Sequence, residues 1–232
     1  MRPILWEVDA QADFMLPGGK LYVPGAEKII PNINRLVDQA RQGRVLVISS
    51  ADVHAPNDPE FQQWPPHCVK GTPGAELITE ARAARLLVIS NERDFALPRD
   101  LSGYQQILLE KNTLDVFDNA NTDKLLTQLS SSSASDNERS LHALVFGVVT
   151  EYCVLRAADG LLRREHRVSI VEDAIQALDV TEGREILEDL QSRGAQLVTT
   201  EHALALIDGE APQGAEGQMR KTAGNQDLGQ NR

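Results

Sequence analysis

Cysteine is scarce: the 232 residues hold only Cys68 and Cys153. Two thiols cannot build a disulfide framework, and reduced cysteines in a cytoplasmic setting are the simpler reading. Long apolar runs are missing as well. The stretches LLVIS and HALVFGVV fall far short of the ~20 residues that span a bilayer. The N-terminus, MRPILWEVDAQADF, meets Glu7 and Asp9 before any apolar run of signal-peptide length. Cations are in deficit, with 23 Lys and Arg against 34 Asp and Glu, a net charge of −11. That balance argues against a nucleic-acid partner, which needs cations to displace the counterions of phosphate. It argues equally against an anionic membrane surface.

What is present is ordinary globular material, 41% hydrophobic and 25% charged. A wholly disordered or collagen-like chain is excluded. At about 150 residues per domain the length suits one or two domains. Short apolar runs predict strands at Ile4–Val8, Arg44–Ser49, Arg85–Ile89, Gln106–Glu110, His142–Phe146, Arg167–Val171 and Gln196–Thr199. Helical spacing predicts helices over Ala26–Gln42, Ala120–Leu129, Cys153–Arg164, Glu182–Arg193 and Thr200–Ile207, the last with Thr200 as its N-cap. Strands alternating with helices make βαβ units. The expectation is an α/β fold: a single doubly wound domain over 1–208, its mainly parallel sheet covered by helices on both faces. The polar stretch Ser130–Glu138 reads as a flexible connection. Residues 209–232, rich in Gly, Gln and Asn, read as a disordered polar tail.

Four places could carry chemistry. Cys153 follows an apolar strand and opens a helix, where the dipole and free N–H groups favour a thiolate and could hold an oxyanion. Taken alone it reads more readily as a small buried hydrophobe, the commoner place of a free cysteine. Asp9 ends the first strand and could act as a base on the thiol, or simply form a turn; Asp13 is the other carboxylate nearby. Lys111 ends the strand QILLEK and could hold Asp9 ionised, or reach solvent. Asp52 and His54 follow RVLVIS, and His67 lies in the next Pro-rich loop. One carboxylate and two imidazoles suit a divalent metal, with Glu60 as a further oxygen ligand; two unrelated surface histidines are the plainer alternative. Cys68 reads as a packed thiol, and His142, His166 and His202 as structural or exposed.

Taken together, the motifs VDAQADF, GGKLYVPGA, ADVH, WPPHCVKGTPGAEL, LLEK and GVVTEYCV make the chain resemble the isochorismatase-like cysteine hydrolases. WPPHCVKGTPGAEL points to their nicotinamidase branch. The resemblance spans about 3–207. It implies a triad of Asp9, Lys111 and Cys153, and an oxyanion hole from the backbone amides of Val149 and Cys153. It also implies a cis peptide at Val148–Val149 and ring-stacking positions at Phe14 and Trp64. The implied cofactor is a divalent metal, zinc before iron or manganese, at Asp52, His54 and His67. Many members carry a further histidine where this chain has Glu60. The implied activity is hydrolysis of a small-molecule amide, nicotinamide first and other amides or ureido compounds next. A non-catalytic binding member is the rival of another class. Members are often homo-oligomers. Two stretches, Asn91–Gly103 and the LDVFDNAN run after Lys111, are expected to reshape the pocket.

Overall fold

The computed structural model describes residues 3–131 and 140–209. Seven strands form one sheet: β1 Pro3–Val8, β2 Val47–Asp52, β3 Leu86–Ile89, β4 Gln106–Lys111, β5 His142–Val148, β6 Arg167–Gln176 and β7 Gln196–Val198. All pairings are parallel, in the order β3-β4-β2-β1-β5-β6-β7. The helices are α1 Ala12–Met15, α2 Ile30–Arg41, α3 Thr122–Ser131, α4 Leu155–Arg163, α5 Val180–Ser192 and α6 Thr200–Asp208.

The pleat sorts side chains between two cores. From β1, Ile4, Trp6 and Val8 join a core covered by Leu125 of α3, Leu161 of α4 and Leu190 of α5. Leu5 points the other way, into a core with Ile33, Leu36 and Val37 of α2 and Ala203 of α6. Helices on both faces leave the central strands β1, β2 and β5 buried throughout. Among the described residues no helix is long and apolar enough to cross a membrane.

Several expected boundaries shift. The long helix expected at Ala26–Gln42 is a 3-10 turn, Ala26–Lys28, followed by α2. Pro31 sits in the first turn of α2, where its missing N–H costs nothing. The N-cap of α6 is Thr199, whose side chain accepts the His202 N–H. Thr200 instead gives its hydroxyl to Asp173. The helix expected to open at Cys153 starts at Leu155, after a π turn over Thr150–Val154. Ser130 and Ser131 extend α3; the rest of the expected polar connection, 132–138, and residues 210–232 of the expected tail lie outside the described residues.

The order β4-β2-β1-β5 creates the opening for a site. Connections from β1 and β5 leave the sheet in opposite directions, and the space at the carboxyl ends of such neighbours is where α/β folds bind ligands. Gly147 permits close approach there. Its φ is +119°, and a Cβ on it would lie 2.1 Å from the Val8 carbonyl oxygen.

One polar group is buried beneath this edge. Glu7 is fully buried; its Oε2 accepts hydrogen bonds from Ser49 Oγ at 3.0 Å and Gln106 Nε2 at 3.2 Å. Burial pushes its carboxyl from the ordinary 4.5 up to about 8, against those hydrogen bonds. The folded protein therefore keeps a proton that the unfolded chain loses. Stability from the neutral acid is complete below pH 4.5 and lost as the pH rises through about 8. Across that window each pH unit costs about 1.4 kcal/mol. Glu7→Gln should flatten this decline, raising the urea midpoint above that of the parent at pH 8–9, with the gain shrinking in acid. An equal gain at pH 4 and pH 9 would show that Glu7 carries no such linkage.

Candidate active site

Four strand ends deliver the central polar groups. In the β2–β4 register Asp52 lies opposite Lys111. Asp9 follows Val8, which pairs with Ser50 on one side and Gly147 on the other. Asp9 takes a left-handed φ of +49°, a conformation that aspartate tolerates better than most residues. Lys111, though a lysine, is buried. Its Nζ lies 2.8 Å from Asp9 Oδ2, 2.5 Å from Asp52 Oδ1 and 3.5 Å from Cys153 Sγ. The other Asp9 oxygen accepts from Ser50 Oγ at 2.6 Å.

Burial opposes the charge on Lys111, but Asp52 and Asp9 outweigh it and hold the ammonium well above its ordinary range. Cys153 goes the other way from the helix-dipole expectation. Burial, with the nearby Asp9 carboxylate, raises its thiol well above the ordinary value against the pull of Lys111. The resting sulfur therefore keeps its proton, with Asp9 beside it to accept one.

A second cluster adjoins the first. One ligand atom each from Asp52, His54 and His67 lie within 4.8 Å of one another, all three residues buried. The His54 Nδ1 is 3.1 Å from Asp58 Oδ2, and among the described residues neither buried ring nitrogen of His54 makes a well-aligned hydrogen bond. The His67 Nδ1 lies 2.8 Å from the Pro65 carbonyl oxygen. A carbonyl can only accept, so the proton sits on Nδ1 and the Nε2 lone pair is free. Burial lowers the pKa of His67 and keeps it neutral, as a metal ligand must be. An orphaned imidazole nitrogen, a free lone pair and a carboxylate fit a divalent cation of nitrogen-oxygen preference. Glu60 stands at the edge of this trio, its Oε1 4.0 Å from His67 Nε2. Asp9, Asp52 and Cys153 are equally close together, but the Lys111 ammonium already lies among them.

The pocket above these groups has aromatic and aliphatic walls. Phe14 packs on His67 with ring centroids 5.4 Å apart, and Trp64 meets Tyr152 edge-on at 5.8 Å. Leu21, Tyr22, Leu114 and Leu178 complete the lining, and Asp9, Asp52, His67 and Cys153 are also exposed to it. The peptide joining Val148 to Val149 is cis.

A family model for the isochorismatase domain matches residues 4–202. The chain belongs to the isochorismatase family. Among curated relatives, the nicotinamidase of Escherichia coli (strain K12) is 25% identical over 228 residues, covering 89% of this chain and 96% of that protein. Among solved structures, the pyrazinamidase of Pyrococcus horikoshii in complex with zinc is 27% identical with a TM-score of 0.66, covering 86% of this chain and 99% of that one. The N-carbamoylsarcosine amidase of Thermoplasma acidophilum is 25% identical with a TM-score of 0.64, covering 87% and 98%.

Not every sequence reading of this isochorismatase-family site survives. The stretch Asn91–Gly103 does not line the pocket. It follows the edge strand β3 and runs back along α3, where Lys124 Nζ donates to the Arg93 carbonyl and Gln128 Nε2 to that of Pro98. Of the run after Lys111, Leu114 does reach the pocket. Asp13 proves a turn organiser, its carboxylate accepting the N–H groups of Lys20 and Cys68. Cys68 is a buried thiol outside the polar trio. His142 pairs with Ser169, and His166 accepts the Leu141 N–H.

Three contributors escaped the sequence reading. Gln11 clamps the end of β2: its Oε1 accepts the Asp52 N–H at 2.7 Å, and its Nε2 donates to the carbonyls of Asp52 and Ala75, each at 2.8 Å. Asp58 braces His54, and Ser50 braces Asp9. The Gln in VDAQADF was visible, but its partners lie 41 and 64 residues away.

The ammonium between two carboxylates sets a stability test. Lys111→Met should cost about 3–5 kcal/mol at neutral pH by stranding two buried negative charges. The deficit should shrink in acid, as the Asp52 carboxyl, which burial raises to about 6, takes up its proton. Urea unfolding at two pH values measures it, and parental stability at pH 7 would contradict this charge balance.

Proposed function

We propose that the protein is a metal-containing cysteine amidohydrolase acting on small carboxamides, with nicotinamide as the first substrate. The observation that carries this reading is the Cys153 thiol and Asp9 at the floor of an aromatic-walled pocket, with the buried Lys111 ammonium behind them bridging Asp9 and Asp52. The contact of thiol, acid and ammonium weighs against a non-catalytic binding member, which an inert Cys153 thiol in an alkylation assay would bring back. Residues 1–208 are read as the catalytic domain, in a reducing cytoplasmic setting that suits a free nucleophilic thiol.

In the proposed mechanism Asp9 removes the Cys153 proton and the sulfur attacks the amide carbon. The backbone N–H groups of Val149 and Cys153 receive the oxyanion; each such donor is worth about 10²–10³ in rate. The Lys111 ammonium, 2.8 Å from Asp9 Oδ2, offsets the changes of charge as the proton moves. Asp9 returns its proton to the leaving nitrogen, so ammonia departs and a thioester remains. Water then attacks the thioester, with Asp9 taking a proton from it. That proton goes back to the departing sulfur, the acid leaves, and the thiol is restored. A divalent ion on Asp52, His54 and His67, zinc before iron or manganese, would supply a Lewis-acidic contact that orients a ring nitrogen.

The pocket lining bears on substrate choice. Among the described residues no Lys or Arg lines the pocket, whereas Asp9, Asp52 and Glu60 do. Lys111 behind them offsets Asp9 and Asp52, and a divalent ion would do so further, so the preference for a flat ring rests on the aromatic walls from Phe14, Trp64 and Tyr152. Similarity to an N-carbamoylsarcosine amidase keeps a ureido compound as the second reading.

The test is ammonia release from nicotinamide, with metal content measured on the same sample. Turnover with stoichiometric metal is expected. Cys153→Ala should abolish turnover and keep the fold, since the cavity then holds only a smaller side chain. His54→Ala should lose metal and raise KM. Activity persisting in Cys153→Ala would rule out this nucleophile, and bound metal without ammonia release would move the search to ureido compounds.

A further inference from the structure

Glu151 takes no part in the proposed chemistry, yet it is buried two residues from the nucleophile. Its carboxylate reaches a segment distant in sequence. Oε1 accepts the Asp179 N–H at 2.6 Å, and Oε2 accepts the Leu178 N–H at 3.2 Å. Hydrogen bonds to an ionised acceptor are about twice as strong as neutral ones. The segment lies between the end of β6 at Gln176 and the start of α5 at Val180, so no sheet ladder holds it.

Leu178 lines the pocket and is 47% exposed, one of four large apolar side chains so exposed among the described residues. The backbone on either side of it is fixed. Asp179 caps α5, its Oδ1 accepting the N–H groups of Thr181 and Glu182 at 2.7 and 3.0 Å. Ala177 packs so closely on α5 that a Cβ at Gly183 would lie 2.7 Å from its methyl carbon. An apolar side chain is thus held at the mouth of a reactive pocket by a buried carboxylate whose hydrogen bonds, among the described residues, both go to this segment.

We propose that Glu151 is a positioning residue and Leu178 a specificity-determining one. The Glu151 carboxylate holds Leu178 at the rim of the Cys153 pocket, where it packs on the apolar face of a planar amide and limits the size of the acyl group admitted. Glu151, Tyr152 and Cys153 belong to one π turn. Tyr152 packs on Trp64 across the pocket. One short element therefore carries the nucleophile and braces two walls, so a substrate held by the walls is placed relative to the sulfur. The inference rests on the reading of Cys153 as the nucleophile.

The experiment compares the parent with Leu178→Ala, Glu151→Ala, Glu151→Gln and the double variant Glu151→Ala/Leu178→Ala. Losing the leucine contact should raise KM for nicotinamide about tenfold, with a smaller change in kcat. Glu151→Ala should do the same. Glu151→Gln, which keeps one acceptor oxygen, should fall between it and the parent. The double variant should be no worse than Glu151→Ala alone, because both changes remove the same wall.

A second readout is independent of the substrate. Cys153 is alkylated with iodoacetamide and with the bulkier N-phenylmaleimide, and labelling is assigned by peptide mapping. Both single alanine variants should speed the bulky reagent relative to the small one. An unchanged ratio, or multiplied KM effects in the double variant, overturns the proposal. A fall in kcat and in iodoacetamide labelling at constant KM also overturns it, since Glu151 would then shape the nucleophile's turn. A parent in which neither reagent labels Cys153 overturns the nucleophile reading, and this inference with it.

Discussion

A single buried ammonium organises the carboxyl edge of the sheet. Removing a lysine charge from water costs several kcal/mol after relaxation, and only close opposite charges offset that. Lys111 has two, from Asp9 and Asp52, at 2.8 and 2.5 Å. The dependence is mutual. Asp9, Asp52 and Cys153 present ligand atoms within 4.8 Å of one another, a crowding of acidic groups that would not survive burial without a cation among them. The adjacency of β4, β2 and β1 is what makes that placement possible.

Asp52 joins the two halves of the site. One of its oxygens meets Lys111, and its carboxylate also lies within reach of His54 and His67. Gln11 fixes its backbone from both sides. The polar groups around Cys153 thus stand on strand ends and on a turn directly after β5, where ladder hydrogen bonds limit movement, while His54 and His67 come from the connection after β2. Such rigidity is what positioning chemistry needs, because small displacements of reacting groups cost large factors in rate.

The walls of the pocket have a different origin. Leu21, Tyr22, Trp64, Leu114 and Leu178 come from connections rather than strands. One fold with the same strand-end groups can therefore serve different substrates by varying its loops, and fold alone does not name a substrate. The similarity of this chain both to a nicotinamidase and to an N-carbamoylsarcosine amidase is that principle at work.

Local pattern was enough for the fold class. Every strand was legible as a short apolar run, and the central strands β1 and β5 are buried on both sides by helices on both faces. The residues that converge at the site were legible too, since Asp9, Asp52 and Lys111 end apolar runs and Cys153 comes after one. What the chain read alone could not supply was anything depending on distant partners. The π turn beneath Cys153, the Gln11 clamp and the anchoring of Leu178 by Glu151 leave no periodic trace. The direction of the Cys153 shift also needed the fold. Local sequence suggested a helix dipole favouring the thiolate, but burial beside Asp9 dominates. Sequence determined which side chains end the strands, because pleat and periodicity are local properties. Tertiary structure decided which of those ends are neighbours, and thereby the charge balance on which the proposed chemistry rests.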